Sequence, residues 1–172
     1  SNNTAIGVQA LQANTTGTQN TALGASALGS NTTASNNIAI GRSALFTNTT
    51  GANNVAVGRQ ALYSSSTGQH NVAIGDLALD ANTTANDNTA VGSSALGANT
   101  TGINNVGVGK GAGLLVTTGN DNTFIGDRAG NQCTTNGQNT FIGGRAGSQV
   151  TGQQNTALGF FANYGASVVF VN

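Results

Sequence analysis

A five-residue phrase, typified by Asn37-Ile38-Ala39-Ile40-Gly41, recurs with close variants through almost the whole chain. The glycines that end these phrases, called phrase glycines below, recur at a constant interval, except that the last step is one residue shorter. A repeat of this length indicates a solenoid, because one unit cannot bury its apolar side alone and does so by stacking on its neighbours. We therefore expect residues 1–163 to form ten stacked coils, and residues 164–172 to form a C-terminal cap or to begin a following domain. The phrase glycines are Gly7, Gly24, Gly41, Gly58, Gly75, Gly92, Gly109, Gly126, Gly143 and Gly159.

Composition argues against disorder and against two classes of partner. Aromatic residues make up 5% and charged residues 6% of the chain, both below globular averages, but Pro is absent and the apolar residues keep register. A formal net charge of +0 provides no electrostatic footprint for a phosphate backbone. No apolar run approaches the roughly 20 residues that span a bilayer. We expect neither nucleic acid binding nor membrane insertion.

An asparagine stands four residues before every phrase glycine, ten times out of ten. Asparagines stacked at a strand spacing of about 4.8 Å can donate to and accept from the copies above and below. A catalytic interpretation would require ten equivalent sites, so we predict a structural Asn ladder. Its members are Asn3, Asn20, Asn37, Asn54, Asn71, Asn88, Asn105, Asn122, Asn139 and Asn155.

The rest of each repeat predicts an all-β coil. The Thr, Val or Ile, the Ala and the aliphatic residue before the glycine are typical of a short strand packed on both faces. The glycine permits a bend or a close backbone approach. The polar third, Asn-Thr-Thr-Gly or a relative, predicts a second or third strand and a turn. The fold class is thus a parallel β-solenoid, a β-roll or β-helix of about ten 17-residue coils. Its Thr file is a possible surface binding file: Thr16, Thr33, Thr50, Thr84 and Thr101.

Most charged residues follow the phrase glycine, which predicts an exposed corner there. Arg59 with Asp76, and Lys110 with Asp127, should form ion pairs between neighbouring coils, each stabilising by roughly 0–1 kcal/mol. His70 stands where other coils have Asn or Gln, so we interpret it as an exposed turn residue.

The last coils change in a correlated way. A leucine four residues after the phrase glycine becomes Gly113 and then Gly130, while phenylalanine replaces the strand alanine in the coil that follows each. Volume lost at one position returns at another, as a close-packed interior requires, so these positions should border the same space. The polar stretch of these coils also loses its Asn. Cys133, which replaces it in the coil between those with Val116 and Val150, is predicted to be a buried apolar filler. The replacements are Phe124, Phe141, Val116, Cys133 and Val150.

Nothing in the sequence indicates catalysis, a metal or a cofactor. Glu is absent, and the single His and the single Cys, His70 and Cys133, stand almost four coils apart. The few Asp residues are too sparse for a cage around a hard cation. We predict that the chain is not an enzyme, with no catalytic residue, no metal ligand and no cofactor.

The wording Asn-Thr-Ala-Ile-Gly, then Ala-Leu, then Asn-Thr-Thr-Gly, present in Asn3 to Gly17 and in Asn20 to Thr33, closely resembles the head repeats of tail-fibre-type phage proteins and bacterial surface fibres. It is similar, more distantly, to the heads of trimeric autotransporter adhesins, from which it departs in its 17-residue period. The resemblance implies a parallel β-roll or β-helix, three chains around a common axis, and an extracellular fibre on a virion tail or cell surface. It also implies that the fibre holds a receptor-binding surface toward a host-cell receptor or glycan.

A homotrimer is also favoured by the small apolar content of one coil, which barely offsets the entropy of ordering that coil. We expect a smooth face of Ala, Leu, Phe124 and Phe141 to pack against two further copies; the choice of three over two rests on the resemblance. The function predicted is a non-enzymatic structural and adhesive fibre segment.

Two alternatives remain open at this point. One is an ice- or lattice-binding solenoid that uses its Asn and Thr files, which thermal hysteresis would reveal. The other is N-linked glycosylation, since five asparagines each precede Thr by two, which an intact mass would decide. They are Asn14, Asn31, Asn48, Asn82 and Asn99.

Overall fold

The computed structural model describes residues 2–163, which form an all-β parallel solenoid. Every repeat contributes one three-residue strand, and the ten strands make one sheet in chain order. Equivalent residues pair in register, as Ala73 does with Ala90. The predicted fold class is therefore confirmed, while the cap proposed for residues 164–172 lies outside the described residues. The strands, which also number the coils, are β1 (Thr4–Ile6), β2 (Thr21–Leu23), β3 (Ile38–Ile40), β4 (Val55–Val57), β5 (Val72–Ile74), β6 (Thr89–Val91), β7 (Val106–Val108), β8 (Thr123–Ile125), β9 (Thr140–Ile142) and β10 (Thr156–Leu158).

Strands β2 to β10 each have a buried central residue and a more exposed opposite face, because side chains alternate along a strand. In β5 the central Ala73 is fully buried, whereas Ile74 is 41% exposed and Val72 is partly exposed. The prediction that the strand packs on both faces is thus wrong for a single chain. The small alanine points into the solenoid, and the larger aliphatic side chains point out of it.

The phrase glycines form a column in which the backbones of successive coils touch. Gly75 has φ +140°, and a Cβ placed on it would lie 2.5 Å from the carbonyl oxygen of Gly92 in the next coil. No side chain fits between two backbones at that distance. The expected close backbone approach is confirmed, and it explains why glycine holds this position in every coil.

The chain turns sharply after each phrase glycine by using left-handed backbone at the second and fourth residues that follow it, which carry side chains in most coils. In coil 5 these are Leu77, with φ 55°, and Leu79, with φ 51°. Left-handed backbone costs an L-residue roughly 1–2 kcal/mol. Burial of the second leucine, which is 0% exposed, offsets that cost because a fully buried Leu stabilises by about 1.5–3 kcal/mol. A third left-handed residue, such as His70 with φ 57°, precedes the Asn ladder.

The polar third of the repeat is not a strand, so the predicted second strand is wrong. It consists of bends, although its backbone still bonds from coil to coil: the Thr83 amide donates to the Thr100 carbonyl at 3.1 Å, as does the Thr83 hydroxyl. The physical reason is Asn82, whose side chain turns inward and accepts from the Ala85 amide three residues on. Asn side chains that bond nearby backbone in this way favour turns over ladders.

The interior contains the strand alanines, a second alanine column three residues after the phrase glycine, and the leucines of the turn. Ala73, Ala78, Leu79, Phe124 and Phe141 are all 0% exposed. The face of Ala, Leu and Phe that we expected to join three chains is therefore inside the solenoid of one chain. Any packing between chains must use other residues.

The correlated changes in the last coils are confirmed as volume compensation. Phe124 packs between Gly113 and Gly130: a Cβ on Gly113 would lie 2.7 Å from the Phe124 ring, and one on Gly130 would overlap it. Phe124 and Phe141 stack with ring centroids 5.7 Å apart. The early coils fill this cross-section with a strand alanine and a turn leucine. The later coils fill the same space with a strand phenylalanine and a turn glycine.

This exchange predicts strong coupling between Phe124 and Gly130. Phe124→Ala alone should destabilise the chain by about 3–5 kcal/mol through a cavity, and Gly130→Leu alone by at least about 1–3 kcal/mol through overpacking. The double variant restores the combination found in coils 5 and 6. We expect the loss of stability in the double variant, measured by chemical denaturation, to be smaller than the sum of the two single losses by about 2 kcal/mol or more. Strictly additive effects would show that the two positions do not share a space.

Candidate functional site

The Asn ladder forms a continuous internal column. At every step the backbone amide of one ladder Asn donates to the side-chain Oδ1 of the ladder Asn one coil before it, as Asn88 does to Asn71 at 3.1 Å. All nine steps from Asn3 to Asn155 are present, at 2.9–3.1 Å. The column is therefore a hydrogen-bonded seam along the full length of the described sheet.

The ladder amides from Asn3 to Asn122 also hold their coils closed. The Nδ2 of Asn71 donates at 2.8 Å to the carbonyl of Ala85, which lies further along, near the end of the same coil. Side-chain to side-chain bonds occur as well, such as Asn71 to Asn54 at 3.2 Å. Most of the bonding is thus to backbone, unlike the amide-to-amide ladder that the sequence suggested. With side chains 0% exposed from Asn37 to Asn139, this column presents nothing to a ligand.

A second Asn column lies at the start of the polar third. Asn48 is 0% exposed, and its Nδ2 donates to the Asn31 side chain at 3.1 Å and to the Gly51 carbonyl at 2.9 Å. A glycan on such an asparagine would have no room in this fold. Burial of both columns also removes the Asn files from any lattice-binding surface. Those in this second column with 0% exposure are Asn31, Asn48, Asn82 and Asn99.

The predicted Thr file lies on the outside. Its hydroxyls bond none of the described residues, and they repeat at about 4.8 Å from coil to coil. The hydroxyl just before most of them is already occupied, as the Thr32 hydroxyl donates to the Thr49 carbonyl. The polar third of the described coils therefore presents a single row of free hydroxyls. The exposed file comprises Thr16, Thr33, Thr50, Thr84 and Thr101, and it continues through Thr67, Thr118 and Thr135.

The outer face of the sheet is largely aliphatic along the whole described solenoid, and sequence reasoning missed it. It presents the first and third residues of each strand, called the aliphatic face below. Ten strands at about 4.8 Å, each about 10 Å long, give roughly 450 Å² before side-chain relief is counted. Exposed patches of several hundred Å² commonly mark interaction sites. The most exposed members are Ile6, Leu23, Ile38, Ile40, Ile74, Ile125, Ile142 and Leu158.

The charged corner is exposed, as predicted, but only one of its two expected ion pairs forms. Arg59 Nε lies 2.8 Å from Asp76 Oδ1, with both side chains nearly half exposed. Lys110 and Asp127 form no ion pair with each other. His70 is an exposed turn residue, with its ring Nε2 3.2 Å from the Asn53 amide and its Nδ1 3.8 Å from Asp87. This corner contributes little to stability.

The single thiol is an apolar filler, as expected. Cys133 is 0% exposed and lies in the hydrophobic core with Val116 and Val150. Burial raises the pKa of the Cys133 thiol to about 12, so the nucleophilic thiolate is not populated near neutral pH.

Metal sites and membrane spans can be assessed over residues 2–163. Within that range no three His, Cys, Asp or Glu side chains come together as a metal would require. The same residues include no helix with the length and apolarity needed to cross a bilayer.

Comparisons with protein-family models, with curated proteins and with solved structures found no match to this chain.

Proposed function

We propose that this chain is a non-enzymatic structural and adhesive segment of an extracellular fibre, on a virion tail or a cell surface, and that it works as a homotrimer. The observation that carries the proposal is the aliphatic face. A row of Ile, Leu and Val along one side of a regular rod needs a partner that is equally long, straight and apolar. A second and third copy of the same rod meet that need.

The periodicity of the face favours self-association. Each coil adds an outward pair at the same spacing, with Thr, Val or Ile first and Ile, Leu or Val third, so two parallel rods match along their whole length. Three sheets turned toward one axis would close the assembly without leaving an apolar face free. Covering roughly 450 Å² per chain is worth at most about 11 kcal/mol at 25 cal/mol per Å², before the cost of bringing the chains together is subtracted. The number three follows the resemblance to fibre heads.

The adhesive role draws on what would remain outside such a trimer. The Thr file and the charged corner lie on other parts of each coil and stay available to a host-cell receptor or glycan. Ten coils at about 4.8 Å give a rod of about 45–50 Å, and the two Asn columns hold its cross-section fixed. The Thr file also keeps an ice- or lattice-binding role as the second candidate. Its single row of free hydroxyls favours that role less, and thermal hysteresis separates the two.

Lysines placed in the aliphatic face should break the assembly. In Ile74→Lys combined with Val91→Lys, two ammonium groups would be forced into an apolar interface, where an unpaired charge is strongly unfavourable. We expect the mass in native mass spectrometry at micromolar concentration to fall from three times the 16.9 kDa of one chain to that of a single chain.

The matched control places the same two charges on the Thr file, as Thr84→Lys with Thr101→Lys. It should keep the trimeric mass expected for the unsubstituted protein, because these side chains are exposed in the proposed trimer. The proposal fails if both variants keep the trimeric mass, or if both fall to the mass of a single chain.

A further inference from the structure

The surface between coils 8 and 9 carries a niche whose lining differs from that of the early coils, called the arginine niche below. Its volume is about 160 Å³. The residues that line it stand two, five and six positions after the phrase glycines of these two coils. Coil 2, in contrast, has Ser26, Gly29 and Ser30 at the same positions. The lining residues are Arg128, Asn131, Gln132, Arg145, Ser148 and Gln149.

The niche concentrates positive charge without an acid to neutralise it. Arg128 and Arg145 are equivalent residues of successive coils, about 4.8 Å apart along the stack. Neither forms an ion pair with a described residue, and no carboxylate lines the niche. Arg59, by comparison, is paired with Asp76. The positive charges of two arginines on neighbouring coils repel each other, and an anion bound between them offsets that repulsion.

The arginine nearer the end of the solenoid is held in place. The Arg145 guanidinium carbon lies 5.4 Å from the centroid of the Phe161 ring, a cation–π contact. Such stacking covers one face of the guanidinium and leaves its in-plane N–H groups at the edge, where they can bind an oxyanion with two parallel hydrogen bonds.

The wall of the niche has unmet hydrogen-bonding groups. Ser148 is only 4% exposed, and its Oγ has no partner among the described residues. The Asn131 Oδ1 is likewise buried without one. A buried polar group left unpaired is costly, so two in one wall are a second and independent sign that the niche receives polar groups from outside the chain.

We propose that the arginine niche binds an acidic sugar, with Arg128 and Arg145 holding its carboxylate or sulfate and the Asn, Gln and Ser side chains bonding its hydroxyls. At about 30 Å³ per water, the niche holds about five waters, which matches the charged edge of one sugar unit and not a drug-sized ligand. This inference rests on the proposed adhesive function and deepens it by naming a ligand class and a location.

The test is ligand-observed saturation-transfer NMR on the full chain at low salt. The observed probes are methyl glucuronide, glucose 6-sulfate and neutral methyl glucoside, so that carboxylate and sulfate are distinguished. Inorganic sulfate has no protons to observe, so it is added as a competitor of the bound sugar. We expect one of the two acidic sugars to bind with a dissociation constant of about 1 mM, a typical weak single-site affinity. The neutral sugar should show no transfer, and inorganic sulfate should bind more weakly than the sugar.

Variants assign the binding to the niche. Arg128→Gln with Arg145→Gln should weaken binding at least tenfold. Arg42→Gln with Lys110→Gln removes the same charge from exposed positions elsewhere and should leave binding unchanged. Arg128→Lys with Arg145→Lys keeps the charge but loses the paired N–H donors of the guanidinium, so it should also weaken binding. This variant replaces the glutamine variant in the test if the glutamine variant does not fold.

Three results would overturn the assignment: no transfer to either acidic sugar, equal affinity for the neutral sugar or for inorganic sulfate, or undiminished binding in both niche variants. Sedimentation of the same samples keeps the two proposals apart. A trimer that binds no acidic sugar contradicts the niche alone, whereas a monomer that binds one contradicts the trimeric fibre and leaves the niche standing.

Discussion

Replacing Gly75 by alanine is expected to unfold the middle of the solenoid, with a loss of more than about 4 kcal/mol. The new Cβ would lie 2.5 Å from the Gly92 carbonyl oxygen and 2.6 Å from its carbon, atoms of a backbone that is fixed by the sheet above it. The φ of +140° adds strain for any L side chain. Losses of this size are exceptional for one methyl group, and chemical denaturation followed by circular dichroism will measure the change.

A second glycine provides the matched control. Gly111 also has a positive φ, +62°, but a Cβ there would meet only the Arg128 Cγ at an ordinary 3.5 Å. Other coils place Gln60, Leu77 or Ser94 at this position with almost the same φ. Gly111→Ala should therefore cost only the roughly 1–2 kcal/mol of left-handed backbone, well below the loss expected for Gly75→Ala. Similar effects of the two substitutions would show that the phrase glycines are not in backbone contact.

The second large effect is expected when the Asn ladder is broken. Asn71→Ala removes the acceptor of the Asn88 backbone amide and the donor to the Ala85 carbonyl, both in the buried interior. The Asn88 amide loses its acceptor and the Ala85 carbonyl keeps only a 3.3 Å bond from Asn82. Each lost bond costs about 1–3 kcal/mol, so the free energy of unfolding should fall by roughly 3 kcal/mol. For a chain of this size that corresponds to a melting temperature lower by about 6–12 °C in calorimetry.

Arg42→Ala is the control for the ladder, since Arg42 is exposed and its side chain forms no ion pair with a described residue. It should leave the melting temperature unchanged within about 1–2 °C. If the two variants melt together, the hydrogen bonds of the column contribute nothing to stability and the ladder is not what fixes the coil.

The sequence was sufficient to predict the solenoid because two constraints act in every coil. Backbone contact permits only glycine at Gly75 and its equivalents, and the hydrogen-bonded seam requires Asn at Asn71 and its equivalents. Each constraint therefore repeats one residue type at the same interval, and that interval is visible in the sequence. The compensation between Phe124 and Gly130 was predictable for the same reason, since a repeat shows each exception against its neighbours.

The secondary-structure propensities of single residues gave wrong predictions where the backbone is left-handed or bent. Leu79 with φ 51° contradicts any propensity for leucine, and only its burial in the stacked coil explains the conformation. Thr83 favours a strand in isolation, yet the inward Asn82 side chain makes that segment a bend. The aliphatic face was missed because alternation shows that the side chains of Ile74 and Ala73 lie on opposite faces, but not which face is inside.

The arginine niche could not have been derived from charge alone, because Arg128 and Arg145 read as two more corner residues of a repeat. Three-dimensional stacking places them together and brings Ser148 to the same wall. The signal available in the sequence was an arginine two positions after the phrase glycine in two successive coils, which no other coil has.

Sedimentation equilibrium of the unsubstituted chain at micromolar concentration measures the number of chains in the proposed fibre segment, in which two further copies cover the aliphatic face. The proposed trimer should give a single species with three times the 16.9 kDa mass of one chain, and a circular-dichroism spectrum dominated by β-structure. A folded species of 16.9 kDa that shows no association over the concentration range would contradict it.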